Sequence, residues 1–235
     1  MRSYLIRAGE NFMQALKSPM IRSVWYIIWL VLVIVSQKME QLCLNAKGLD
    51  LIRVVFFLII AILTLLFMFL RYQHEQRYFQ TVGTSLRQGL TEFFGLVVCI
   101  LIAIGCFMII ISYLKARGYF PHLVNRTDYL DRGSLAFWFD LLASSLLISL
   151  EQQFVTIGFF FNYFFRRNSL IGALVAILIS GLIFGALNME SWHLINFFIY
   201  TAIGLMLATI YLATQNLRIC MFMSVFVAIM KVILI

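Results

Sequence analysis

Apolar residues in this chain come in runs of roughly twenty, broken by short polar stretches, which is the length of helix that crosses a hydrocarbon core. Seven runs are predicted as spanning helices: residues 20–35, 51–70, 90–114, 137–165, 170–187, 192–213 and 217–235. Pro19 suits the first turn of the first helix, and Trp25 and Trp29 near its start read as interface anchors. Ahead of it, Arg2, Arg7 and Lys17 alternate with Tyr4, Leu5, Phe12, Met13 and Leu16, which predicts a short amphipathic helix lying on the headgroups. Polar connections are expected at 36–50, 71–89 and 118–134, the second as an inner loop or surface helix. Gly181 and Gly185 form a GxxxG that lets a neighbouring helix approach closely. The short turn 188–191 makes the fifth and sixth helices antiparallel neighbours.

Composition narrows the class. The chain is 63% hydrophobic and 12% charged, with a mean hydropathy of +0.97. That mixture excludes a soluble globular domain. The expected fold is an all-α integral membrane protein, one membrane-embedded domain over 1–235. Within it, 1–19 is an interfacial segment, 20–114 holds three accessory spans, and 135–235 forms a four-helix core. The net charge of +8 falls at the ends of apolar runs, where the positive-inside rule and anionic headgroups account for it, so nucleic acid is not an expected partner. The same bias orients the N-terminus to the cytoplasm and the C-terminus outside, and no removable signal peptide is expected. Cys43, Cys99, Cys106 and Cys220 form no CxxC pair and read as small core residues, with no metal site or cofactor motif. His122 reads as a loop residue and His193 as an interfacial one.

Candidate chemistry lies in the run 137–165, which carries Asp140, Glu151, Gln152 and Gln153 among apolar residues. A carboxylate at hydrocarbon depth costs at least ~2.5 kcal/mol, so it normally faces other helices or a wet cavity. On a regular α-helix Asp140 and Glu151 project from one face ~16 Å apart, too far for a carboxylate dyad. Asp140, nearer the helix end, reads as solvated by headgroups and water. Glu151, Gln152 and Thr156 make a polar stripe.

Three segments carry a resemblance: SLEQQFVTIGFFFNYFF, then SGLIFGALN at 180–188, then YLATQNLRICMFMSVFVAIM at 211–230. They resemble the signature regions of the CPBP family, the CAAX-protease and bacteriocin-processing (Abi) intramembrane proteins. That family carries two adjacent glutamates followed after three residues by Arg, a Phe with His four positions on, and a final His with Asn or Asp four positions on. The resemblance implies a glutamate-activated water attacking a peptide bond, with His and Asn stabilising the oxyanion. Here Glu151 matches the first glutamate and Phe184 the Phe. Gln152 stands at the second glutamate, Thr156 at the Arg, Asn188 at the first His, Ser224 at the second His, and Ala228 at the Asn or Asp.

The expectation is a polar cavity of Glu151, Gln152, Thr156, Phe184, Asn188 and Ser224, kept for shape after its proton-transfer groups were exchanged. The resemblance implies a Gram-positive bacterial plasma membrane. The departures from the motif predict a non-catalytic member that binds a bacteriocin, a prenylated or hydrophobic peptide, or another membrane protein, and the resemblance implies self-immunity or regulation as its role. The alternative is a slow CAAX-type endopeptidase with Glu151 as base and Asn188 as oxyanion contact. Loss of acid–base partners at ~10² to 10⁴ in rate per group weighs against it. A transporter or channel fits less well, because polar residues are confined to one cluster.

Overall fold

The computed structural model describes residues 18–45, 48–79, 84–119, 133–165, 169–189 and 194–234. The predicted amphipathic segment 2–18, apart from Ser18, lies outside the described residues, as do His122 and His193. Within them the chain runs as α1 (Pro19–Cys43), a two-residue ribbon β1 (Leu44–Asn45) and β2 (Gly48–Leu49), α2 (Leu51–Phe79), α3 (Leu86–Glu92) and α4 (Phe94–Ala116). A long helical segment, α5 (Ser134–Phe164), follows, then α6 (Leu170–Leu187), α7 (Leu194–Thr214) and α8 (Leu217–Leu234). Seven of these helices are long and apolar enough to cross a membrane, as the hydropathy pattern implies. The strands pair antiparallel with Leu44 opposite Leu49 and close the hairpin between α1 and α2.

Two of the expected connections, 36–50 and 71–89, are largely helical. Helix α1 does not stop near residue 35 but continues to Cys43. Its buried positions Tyr26, Trp29, Val33, Ser36, Glu40 and Cys43 recur at alternating intervals of three and four, so the polar tail extends the same seam against the bundle. Helix α2 likewise runs past Leu70, and Glu75, assigned to a connection, is fully buried. Ser85 then caps α3 by accepting from the Gln88 N–H at 3.2 Å, starting a helix inside the predicted loop. Trp29 is not an interface anchor: it is fully buried and stacked on Phe159, with ring centroids 4.8 Å apart. Of the cysteines, Cys43 and Cys220 are buried, whereas Cys99 and Cys106 lie on the outside of the bundle rather than in its core.

α5 is the central element. Every residue from Glu151 to Tyr163 is buried, which happens only when a helix is covered on all sides. Helices α1, α2, α6 and α8 provide the cover. The helix is also irregular, with π-helical turns at Ala143–Ile148 and Phe154–Phe159 on either side of the α-helical Ser149–Gln153. The first π turn lies between Asp140 and Glu151, so the regular three-turn relation between them does not hold. Asp140 is fully buried, not solvated.

α6 and α7 pack as antiparallel neighbours, as the short turn implies, and approach closely at the GxxxG. A methyl at Gly181 would stand 2.6 Å from Leu205 Cδ2, and one at Gly185 would stand 2.8 Å from the Phe197 carbonyl oxygen. Only a hydrogen fits at either position, which brings the C-terminal end of α6, and with it Asn188, tight against the bundle.

Candidate functional site

The three consecutive polar residues on α5 face three different helices. Successive residues on an α-helix turn by about 100°, so a triplet on a helix covered all round must address separate neighbours. Glu151 faces α1, where Ser36 and Glu40 act on it electrostatically, yet neither of its buried carboxylate oxygens makes a hydrogen bond of standard geometry. Gln152 faces α6 and exchanges side-chain hydrogen bonds with Asn188: Asn188 Nδ2 donates to Gln152 Oε1 at 3.2 Å, and Gln152 Nε2 donates to Asn188 Oδ1 at 3.5 Å. Gln153 faces α8 and donates from Nε2 to the Ser224 hydroxyl at 3.1 Å.

Asn188 owes its position to the end of α6. It is the C-cap, and its Nδ2 also donates to the Phe184 carbonyl at 3.0 Å, satisfying a helix-end acceptor. One residue before it, the Leu187 carbonyl accepts from Gln37 Nε2 at 3.0 Å, which ties α1 to the same corner. Thr156 does not bond the Gln152 amide. Its hydroxyl donates to the Gln152 main-chain carbonyl at 2.7 Å, and its own carbonyl accepts from Ser180 at 2.8 Å. Both contacts use hydroxyls to fasten the backbone where the helix passes from α into π geometry.

A small cavity of about 20 Å³ opens beside Gln152, Phe184, Asn188 and Ala228, with Gln37 and Lys231 on its wall. That is room for one water among several polar partners. Lys231 lies 5.0 Å from the centre of the Tyr200 ring, another residue of the cavity wall.

Of the residues singled out from the sequence, Gln152, Phe184 and Asn188 meet at this cavity. Ser224 is reached through Gln153, Thr156 serves the helix backbone, and Glu151 is turned to α1. Ser36, Gln37 and Glu40 are not legible as site residues from the sequence, because that stretch reads as a polar connection. The signal was present in their three-and-four spacing continuing from Tyr26, Trp29 and Val33. Lys231 was missed because a cation near the end of the last run suits the headgroups equally well.

Chemically, the cavity wall offers amides, a hydroxyl, an aromatic face and one ammonium. Amides and hydroxyls orient a peptide or a water but do not gain or lose a proton near neutral pH. Among the described residues no three His, Cys, Asp or Glu gather in a way that could hold a metal ion.

Residues 134–230, from the start of α5 into α8, match the Rce1-like family, described as Type II CAAX prenyl endopeptidase Rce1-like. No curated protein and no solved structure matches the chain. The matched segment contains the α5 triplet, the end of α6 and the Ser224 and Ala228 positions of α8, so all three motif regions fall inside it. Over residues 134–230, then, this multi-pass membrane protein with its seven candidate spans is similar to the Rce1-like family.

Proposed function

We propose that the chain is a non-catalytic member of this family that binds a hydrophobic peptide or a membrane-protein partner at the family's site, in bacteriocin self-immunity or regulation of that partner. The setting is a bacterial plasma membrane with the N-terminus in the cytoplasm and the C-terminus outside. The observation that carries the reading is the Gln152–Asn188 pair: two uncharged amides hydrogen-bonded to each other stand where the family has a glutamate and a histidine. Its support is physical. A glutamate and an arginine one turn apart would neutralise each other, and losing one alone strands a charge at several kcal/mol. Here both positions are neutral, as Gln152 and Thr156, and Asn188, Ser224 and Ala228 complete an uncharged set.

A slow endopeptidase is the second reading, favoured by one feature, the buried Glu151 carboxylate, whose oxygens make no hydrogen bond of standard geometry. It requires Glu151 to reach the cavity that Gln152 lines, although Glu151 neighbours Ser36 and Glu40 on α1. The two readings separate in Glu151→Gln, assayed for survival against the cognate bacteriocin and for cleavage of a prenylated CAAX peptide in proteoliposomes. Binding expects wild-type survival at wild-type membrane level and no cleavage by either protein. Cleavage by wild type that Glu151→Gln abolishes would establish the endopeptidase instead.

A further inference from the structure

At the end of the bundle where α2 runs past Tyr72, α3 begins and α7 turns into α8, a second pocket of about 330 Å³ opens, large enough for a small ligand. It shares no residue with the Gln152–Asn188 cavity. Its walls are aromatic: Tyr72 and Phe154 meet edge to face with centroids 5.6 Å apart. Its polar rim divides into groups already committed and groups left free. Gln76 Nε2 donates to the Tyr72 hydroxyl at 3.0 Å. Asn216 uses both ends of its amide, donating to the Thr84 carbonyl at 2.8 Å and accepting from the Arg218 main-chain N–H at 3.0 Å. The Arg218 guanidinium and the Gln73 amide, by contrast, bond to no other described residue, and both line the pocket.

No Asp or Glu is among the pocket's lining residues, and Arg218 supplies a full positive charge, while the C-terminus of α7 and the N-terminus of α8 meet at this turn and their partial charges offset each other. An anion is therefore the complementary ligand. Two features indicate what carries it. The pocket sits where the candidate spans Leu51–Gln76 and Leu217–Leu234 end and begin, which is headgroup level. Phe69, which lines the pocket, is 42% exposed on the outer surface of α2, and Phe222 on α8 is 68% exposed. An apolar tail leaving the pocket thus meets lipid-facing surface.

We propose that this pocket binds a phosphate group, and that its source is the headgroup of an anionic phospholipid, held by Arg218 and Gln73 against Tyr72 and Phe154. The site stands apart from the family's cavity, and its test does not depend on how that cavity functions. The full chain in neutral detergent is titrated with short-chain phosphatidylglycerol, short-chain phosphatidylcholine or inorganic phosphate, with the thermal midpoint as readout. Phosphatidylglycerol is expected to raise the midpoint at concentrations where phosphatidylcholine, whose choline places a cation beside Arg218, does not. Arg218→Gln raises the half-saturating concentration about fivefold, the effect of one juxtamembrane cation. Gln73→Leu, which leaves all charges in place, raises it about two- to tenfold, the effect of one hydrogen bond. Arg87→Gln, an exposed cation outside the pocket, leaves it unchanged. An equal response to inorganic phosphate that Arg218→Gln abolishes would support the phosphate site with a free phosphate ester as its source. Equal responses to the two lipids with none to phosphate, or a response indifferent to both Arg218→Gln and Gln73→Leu, would overturn it.

Discussion

Gln152 on α5 and Asn188 at the C-cap of α6 hold each other through two side-chain hydrogen bonds in a buried corner of the bundle, at 3.2 and 3.5 Å. Each amide supplies both a donor and an acceptor, so the pair is self-satisfying without a proton to move. The same bonds decide how the C-terminal end of α6 sits on α5. Truncating one partner leaves the other buried and unpaired, at about 1–3 kcal/mol. Gln152→Leu and Asn188→Leu are each expected to destabilise by that order, and the double variant by less than their sum. A double-mutant cycle in lipid-like detergent should return a coupling of about 0.6–1.7 kcal/mol, the range seen for interhelical bonds in membranes. Strict additivity would mean that the two amides act independently.

The approach of α6 to α7 tolerates only hydrogen at two positions. A methyl at Gly185 meets the Phe197 carbonyl oxygen at 2.8 Å and the Thr201 backbone nitrogen at 3.0 Å, neither of which can swing aside. Gly185→Ala is expected to cost about 1–3 kcal/mol. Gly95→Ala on α4, where a methyl meets nothing within 4 Å, is expected to be neutral or stabilising by up to about 1 kcal/mol. Thermal unfolding of the two variants side by side distinguishes a steric cause from a general intolerance of glycine replacement.

Trp29 is fully buried and stacked on Phe159 with rings 5° from parallel. Trp29→Ala is therefore expected to cost about 3–5 kcal/mol, as for any large aromatic removed from a core. An interfacial anchor would lose far less, so the unfolding free energy of this one variant tests whether α1 seals the bundle through its aromatic seam.

A buried polar network ties α1, α2 and α5 together near Trp29. Arg71 pairs with Glu75 at 2.7 Å, and Tyr163 donates to the same carboxylate oxygen at 2.6 Å. Trp29 Nε1 in turn donates to the Tyr163 hydroxyl at 3.4 Å, and the Arg71 guanidinium lies 5.1 Å from the Trp25 ring centre. Glu75→Ala removes the shared acceptor beneath a mostly buried cation and is expected to cost about 3–5 kcal/mol. Tyr163→Phe, which removes one hydrogen bond to a charged group, is expected to cost about 1.5–3 kcal/mol. Equilibrium unfolding of both variants should preserve that order.

The pattern of apolar runs predicts all seven candidate spans, and Gly181 and Gly185 mark the closest helix contact from their spacing alone. The candidate site was legible in part. Phe184 and Asn188 lie one turn apart on α6 and could be paired with Gln152 through the family's motif. The motif also assigned Glu151 to that cavity, whereas its side chain neighbours Ser36 and Glu40 on α1. Sequence adjacency says that Glu151, Gln152 and Gln153 are neighbours along the chain and nothing about which helix covers each of them.

The chain's residues by themselves determine that it is a helical membrane protein, because runs of apolar side chains this long have no other stable home, and that one of its spans carries three consecutive polar residues, Glu151 to Gln153. Tertiary structure alone decides that α1 continues to Cys43 and faces Glu151 with Ser36 and Glu40, and that the polar triplet parts towards α1, α6 and α8. The physical reason is that hydropathy measures the transfer of a side chain out of water. The partner of a buried polar group is set instead by which helices surround it, and that depends on packing between segments far apart in the chain.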